Sequence, residues 1–579
     1  MEEVVSTLKI TDYIIEFFIA KGITDVFGYP GGMVTHLMDS FSKYEKNINA
    51  HTCYHEQAAS FAACGYAQVA LKPGAAYATS GPGATNLITG ICNAFFDSVP
   101  VIFITGQVNI YEGKGKLPLR QKGFQETDVC SLVSSITKYC EYIEKPEDIK
   151  YHLEKAYHLA VSGRPGPVLL DIPMNIQRAE IDPKTLNGFN INEAITEKIN
   201  FSSSIERILA ELKGAKRPLI IAGAGIQTSG TTKFFQEWIQ KTKIPVVSSM
   251  LAVDALPESD YYFGFIGAYG ARHANFILAK ADLVISIGSR LDVRQMGSNS
   301  DGFASNAKLL RIDIDSAELE NKIKEDEIAL CSDLKDLLPQ LAGRHNINNQ
   351  NDFSDWLSVC NAIKEKLAQF DDKEPNYYVR KLSEMIEKDA VITTDVGQNQ
   401  VWIAQSFRAS GQRILFSGGH GAMGYSLPAA IGAYYASKRK VYAFMGDGGL
   451  QMNIQELQFI AREQLPIKII LFNNASLGMI RHFQEMYFNL NYVQTKAGGG
   501  YTVPDFGEIA KAYKLPYQKF TSLLEINADN HFFTDDNPAF FEIAFQGDTY
   551  VFPKLAINQP VYNQDPELDN HIYEYIMNL

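Results

Sequence analysis

Short apolar runs alternate with helical stretches along nearly the whole chain, and this alternation most constrains what the chain can fold into. Val26-Phe27, Ala75 to Ala78, Val101 to Thr105 and Pro167 to Pro173 have the length of buried strands. Between the first two, Glu56 to Val69 reads as an alanine-rich helix. Strands spaced by helices argue for parallel sheets, because parallel neighbours need a crossover long enough to hold a helix. The same texture returns in Pro218 to Ala222, Asp282 to Ile287 and Leu309 to Ile314. It returns again in Ala390 to Thr393, Val441 to Met445 and Ile467 to Phe472. Polar stretches near 176–204 and 343–354 read as linkers. The expected fold class is α/β, with three doubly wound parallel-sheet domains at 1–185, 186–350 and 351–550, then a tail at 551–579.

Composition narrows the function classes. The 579 residues, 46% hydrophobic and 21% charged, are ordinary for globular protein and exclude a disordered or collagen-like chain. The formal net charge is −13, and no Lys/Arg run builds a basic patch, so nucleic acid is not an expected partner. No apolar run reaches the roughly 18 residues that span a bilayer, so no membrane is expected either. None of the seven cysteines forms a C-x-x-C pair, which fits a reducing compartment. Met1-Glu2-Glu3 lacks the basic start of a signal peptide, and a cytoplasmic location is expected.

The most informative segment is Gly446-Asp447-Gly448, followed by the 24 residues 449 to 472 and then Asn473-Asn474. Asp447 follows one expected strand and Asn474 follows the next. Adjacent parallel strands place both side chains at one carboxyl-end crevice, where open α/β sheets bind ligands. An aspartate and an amide oxygen there are hard donors that suit magnesium, which in turn clamps a diphosphate. The glycines let backbone N–H groups approach phosphate oxygens. Gly-Asp-Gly and Asn-Asn are also common turn sequences; the spacing and the strand context are what favour the site.

This pattern resembles the thiamine diphosphate signature, and the resemblance spreads along the chain. The chain looks most like the large catalytic subunit of acetolactate synthase and its relatives. Matching stretches are Tyr29-Pro30-Gly31-Gly32, His55-Glu56-Gln57-Ala58-Ala59, Thr79-Ser80-Gly81-Pro82-Gly83, Phe124-Gln125-Glu126 and Gly163-Arg164-Pro165-Gly166-Pro167. Further on come Asp313 to Glu318, Asp395-Val396-Gly397-Gln398, Met423-Gly424-Tyr425 and Leu477-Gly478-Met479.

The resemblance implies a pyrimidine-binding first domain, a flavin-type central domain and a diphosphate-binding third domain. It implies that Glu56 hydrogen-bonds the aminopyrimidine ring and activates the thiazolium carbon. Gln125, Phe124 and Gly32 then face the substrate from a partner subunit, so a homodimer or homotetramer with interfacial sites is expected. Tyr29, Pro30, Pro82, Asn86, Gly397, Gln398, Met423, Gly446, Asp447, Gly448, Gly449, Asn474, Leu477, Gly478 and Met479 would contact thiamine diphosphate. Met423 would hold the cofactor bent. Asp447, Asn474 and Ser476 would ligate Mg2+.

In the middle block, Gly223-Ala224-Gly225-Ile226 follows a strand, but Thr228 stands where a dinucleotide fingerprint has its third glycine. NAD is therefore not expected. The family resemblance implies bound FAD without net redox work, with Arg164, Gly223, Gly225, Arg290, Asp313 and Asp333 as contacts. Ile266-Gly267-Ala268-Tyr269-Gly270-Ala271 departs from the family's Gly-Met-His-Gly-Thr.

By the same resemblance, pyruvate is the donor. It loses carbon dioxide, and its two-carbon unit is added to a carbonyl acceptor, a second pyruvate giving 2-acetolactate. The acceptor pocket departs from the family, with His482-Phe483 in place of a Gln-Trp pair. Together with Gly500-Tyr501 and the basic insertion carrying Lys114, Lys116, Arg120 and Lys122, it keeps open a keto-sugar nucleotide as alternative acceptor. A solvated loop is the plainer reading of that insertion. A simple decarboxylase is disfavoured, since no adjacent His-His pair is present.

Overall fold

The computed structural model describes residues 7–190, 201–297, 302–344, 352–367, 373–526, 531–555 and 559–579. Three six-stranded sheets carry the molecule, and every strand pairing within them is parallel. In the first sheet the order across the sheet is Asn49–Thr52, Asp25–Gly28, Gly74–Ala78, Val101–Gln107, Val168–Pro173 and Tyr139–Tyr142. The third sheet runs Arg413–Leu415, Val391–Thr394, Val441–Gly446, Ile467–Asn473, Ala539–Ala544 and Tyr517–Phe520. The middle sheet runs Tyr262–Phe265, Val246–Ser248, Pro218–Ala222, Leu283–Ile287, Lys308–Asp313 and Ile328–Cys331, the strand order of dinucleotide-binding folds. The doubly wound α/β class expected from the sequence is what the chain adopts.

The central strands are buried throughout, as in Val101–Gln107 and Leu283–Ile287, because crossover helices cover both faces of each sheet. This is why they read as continuous apolar runs. The expected helix appears as Glu56–Ala70, capped at its start by His55, whose Nδ1 accepts the Gln57 N–H at 3.0 Å.

The first and third sheets meet through two helices of small residues, Glu56–Ala70 and Ser426–Ser437. A Cβ at Gly65 would overlap the Ala429 carbonyl, and one at Gly432 the Ala62 carbonyl. Glycine at both places lets the backbones touch, and one apolar core runs through both blocks.

The first expected linker is only partly irregular. Met174–Gln177 is helical and Glu180–Ile181 pairs with Leu8–Lys9; residues 191–200 lie outside the described residues. Most of the second, 345–351, lies outside them too. Residues beyond Val551 run back over the middle block. Leu555 N–H donates to the Ala268 carbonyl at 2.6 Å, Gln564 Nε2 to the Gly270 carbonyl at 3.0 Å, and Asn570–Asn578 is a helix whose Ile576 joins the middle core. Among the described residues no helix is long and apolar enough to cross a membrane.

Candidate active site

At the carboxyl end of the third sheet, Asp447 leaves strand Val441–Gly446 and Asn474 leaves the neighbouring strand Ile467–Asn473. The two meet: Asp447 Oδ2 accepts the Asn474 N–H at 3.2 Å. Asn474 Oδ1 takes the Ser476 N–H at 3.1 Å, and its Nδ2 donates to Thr549 Oγ1 at 2.7 Å and Gln398 Oε1 at 3.1 Å. Ser476 is thus folded onto the same turn. Burial raises the Asp447 carboxyl above its ordinary value, and hydrogen bonds from Tyr501 and the main chain oppose that rise.

The glycines of this loop are required by close approaches. A Cβ at Gly449 would stand 2.5 Å from Asp395 Oδ1, one at Gly448 2.7 Å from Leu477 and 3.1 Å from Met423, and one at Gly478 would overlap Gln398. Gly397 has φ +137, and its Cβ position, like that of Gly446, is 3.6 Å from Asn399 Nδ2. Asn399 is buried and its Oδ1 has no partner. It is the Nδ2 donor facing the two glycines, not the orphaned oxygen, that suits a diphosphate, and the sequence reading missed it. Asp395, pushed up to about 6 by burial, accepts the Gly424 and Ser426 N–H groups at 3.0 Å and so anchors the turn bearing Met423.

The carboxyl end of the first sheet gathers the other predicted group. Glu56 is 7% exposed; its Oε2 accepts from Asn86 Nδ2 at 3.0 Å, and its Oε1 lies 3.1 Å from where a Cβ at Gly83 would sit. Gly81, at φ +62, packs against Gln125, itself at φ 62, whose Cβ would be 2.9 Å from a Cβ at Gly81. Pro82 is exposed beside them. A Cβ at Gly31 would overlap Thr79, whose Oγ1 accepts the Met33 N–H at 3.1 Å; this brings Tyr29, Pro30 and Gly32 to the same edge. Phe124 is 78% exposed.

Among the described residues the Glu56 side chain hydrogen-bonds only to Asn86 of its own block. Its helix start is gripped from behind: Glu456 Oε1 accepts the Tyr54 N–H at 2.8 Å, and Asn453 Nδ2 donates to Gln57 Oε1 at 3.2 Å.

The middle block contributes a cleft, open to solvent, that is lined from all three blocks. Arg164, Gly225, Arg290, Asp313 and Asp333 line it; Gly223 packs behind, against the Gly288 carbonyl. Arg164 also ties blocks together, donating to Ser98, Asp315 and Glu318 at 2.8, 3.1 and 2.7 Å.

The basic insertion winds around Glu126, whose carboxylate accepts the Lys114, Lys122 and Gly123 N–H groups at 2.6, 3.0 and 3.0 Å. His482 sits edge-on to Tyr550 and Phe552, and burial lowers it to about 4, so the ring is neutral. Phe483 is half exposed and packs on Tyr487 at 4.5 Å.

Comparison with known proteins bears directly on this geometry. Three descriptions of thiamine pyrophosphate enzymes match in order: the N-terminal TPP binding domain at 8–132, the central domain at 205–341 and the C-terminal TPP binding domain at 395–543. The acetolactate synthase large subunit of Lactococcus lactis subsp. lactis (strain IL1403) is 38% identical over 548 residues, covering 92% of each chain. The acetolactate synthase isozyme 2 large subunit of Escherichia coli (strain K12) is 35% identical over 525 residues, 89% of this chain and 91% of its own. The acetolactate synthase large subunit of Corynebacterium glutamicum is 36% identical over 550 residues, 92% of this chain and 86% of its own. With diphosphate-type and carboxylate half-sites on matching sheets, and relatives similar from end to end, the chain belongs to the thiamine pyrophosphate enzymes, in the family of the acetolactate synthase large subunit.

Proposed function

We propose that the protein joins two pyruvate molecules into 2-acetolactate with loss of carbon dioxide, using thiamine diphosphate and Mg2+, at sites completed by a second copy of the chain. The carrying observation is the pair of half-sites: a buried Glu56 at one sheet end and a glycine-lined Asp447–Asn474 turn at another. Asp447, Asn474 and Ser476 offer a few oxygen donors, as befits Mg2+ that keeps phosphate oxygens and water as its other ligands. Gly397, Gln398, Asn399 and Gly446 to Gly449 would cradle the diphosphate, with Asn399 Nδ2, which faces Gly397 and Gly446, as a side-chain donor to it. Met423, Leu477 and Met479 would supply an apolar wall that keeps water from the reacting carbon. Glu56 Oε1 would share a proton with the aminopyrimidine, while Oε2 is held by Asn86. Thiamine diphosphate, when bound, supplies the nucleophilic carbon and the electron sink for decarboxylation.

Exposed apolar residues support a second copy at both half-sites. Tyr111, Leu117 and Phe124 are 65%, 55% and 78% exposed near Gln125; Ile480, Phe488 and Leu490 are 56%, 55% and 60% exposed beyond Met479. The cleft between the blocks gathers five of the six residues expected to contact FAD, and we read it as a structural flavin site. The acetolactate synthase names of the relatives favour a 2-oxo acid over a keto-sugar as acceptor. The test is incubation of the protein with thiamine diphosphate, Mg2+, FAD and pyruvate alone. Acetolactate formed in step with carbon dioxide is the expected result; carbon dioxide with little acetolactate would overturn the acceptor.

A further inference from the structure

Behind the metal-type turn lies a strap, residues 492–501, that no part of the proposed reaction uses. It is rigidly made. Gln494 N–H donates to the Gly499 carbonyl at 2.8 Å and Tyr501 N–H to the Lys496 carbonyl at 3.1 Å. Gly500 turns the chain at φ +104. A Cβ at Gly499 would overlap the Tyr492 carbonyl, so the loop closes on itself only with glycine there. Lys496 pins it to Asp548 at 2.9 Å.

The strap is fastened to the turn at two places. The Thr495 carbonyl accepts both Ser476 Oγ at 3.0 Å and the Leu477 N–H at 3.1 Å. At its far end the Tyr501 hydroxyl donates to Asp447 Oδ1 at 2.6 Å, while Asn474 N–H holds the other oxygen, Oδ2. Gln451, on the helix that Asp447 begins, bonds Tyr501 in turn. Both carboxylate oxygens of Asp447 are therefore fixed from outside, each keeping a further lone pair.

We propose that Tyr501 is a positioning residue for the divalent-cation site: its hydroxyl locks the Asp447 carboxylate so that one set orientation is presented to the metal. The inference rests on the reading of Asp447 as a magnesium ligand. Partners that orient a ligating carboxylate typically change metal affinity ten- to a hundred-fold when removed.

Tyr501→Phe deletes only the hydroxyl and keeps the ring. The measurement is the Mg2+ dissociation constant of the full chain with saturating thiamine diphosphate, read by protein fluorescence. It is repeated with Mn2+ as a paramagnetic probe whose spectrum reports ligand geometry. Roughly ten-fold weaker Mg2+ binding and an altered Mn2+ spectrum are expected, with unchanged thermal stability in the absence of metal. Unchanged affinity overturns the proposal. So does tighter binding, because it would mean that the hydroxyl competes with the metal instead of orienting its ligand. Gln451→Leu, which leaves Tyr501 in place, should give a smaller weakening in the same direction; no weakening there would count against the relay. If the unaltered protein itself fails to bind Mg2+ with thiamine diphosphate, it is the cofactor reading that falls.

Discussion

The first and third sheets have one strand order. Numbered within its own block, each runs from the second strand at one edge through the first, third, fourth and sixth to the fifth. The order reverses between the first and third strands, and both half-sites sit at that reversal: Gly28 to Gly32 with Thr79 to Gly83 in one, Asp395 to Gln398 with Gly446 to Gly449 in the other. What differs is the loop chemistry. The first block places a buried carboxyl beside a hydrophobic rim, and the third places main-chain donors and hard oxygens. One scaffold thus presents two unlike halves of a cofactor grip, and the fold alone does not say which half is which.

Two substitutions separate the halves. Glu56→Gln keeps the shape and the Asn86 contact but cannot exchange a proton. Acetolactate formation should fall by at least about a hundred- to ten-thousand-fold. Cofactor affinity and thermal midpoint should stay near those of the unaltered protein. Near-normal turnover in this variant would remove Glu56 from the chemistry. Asp447→Ala should act the other way, with the binding of Mg2+ and thiamine diphosphate lost together and activity lost in consequence. Calorimetric titration distinguishes the two, and equal cofactor binding in both variants would erase the division of labour.

The seam between the blocks gives the next effect. Gly432→Ala puts a methyl group into the Ala62 carbonyl. The helices must part, at a cost of about 1–3 kcal/mol for overpacking. Urea unfolding measures it, and a neutral result would show that the two blocks are not held in contact there. Ser437→Ala, at the end of the same helix, should cost less, because its hydroxyl bonds only nearby main chain among the described residues, donating to the Ala433 carbonyl at 2.8 Å and accepting the Arg439 N–H at 3.2 Å.

Much of this was legible in the chain itself. Buried strands such as Ile467–Asn473 are continuous apolar runs because both faces are covered, and Asp447 and Asn474 each follow one directly. Glycines forced by close approach, at 81, 448 and 478, stand inside the recognisable motifs. The contributors that sequence reading missed share a physical reason: they reach the site through space. Thr549 meets Asn474 from 75 residues away, and Tyr501, read in the sequence only with the acceptor region, meets Asp447 from 54 residues away, with no periodicity to mark either contact. Asn399 lies one residue past a recognised stretch, and only the placement of its Nδ2 against Gly397 and Gly446 singles it out. Residues 551–579 contain few long apolar runs, yet Val561 and Ile576 complete the middle core. The common strand order of the outer sheets leaves no repeat in the residues, since the sheets share topology and not side chains.

Glu456 sharpens the comparison of the blocks, because it is a second buried glutamate at the start of the Glu56 helix, reaching it from the third block. Burial pushes its carboxyl up to about 8 against the opposing pull of main-chain N–H bonds, and its Oε2 has no partner. The folded protein then holds a proton there that the unfolded chain releases near its ordinary value of 4.5. Between these two pH values the folded state binds more protons, so this group lowers stability as pH rises, and its contribution levels off above about 8. Glu456→Gln keeps an oxygen for the Tyr54 N–H and has nothing to titrate. Its thermal midpoint should be close to that of the unaltered protein at pH 5 and should exceed it by a growing margin up to pH 8. Asp97, Asp171 and Asp395 are raised by burial as well, but they are common to both proteins and cancel in the difference. A margin that is flat with pH, or that favours glutamate at pH 8, would mean that the carboxylate is charged in the fold. The grip on the Glu56 helix would then be ionic, exerted on the helix N-terminus.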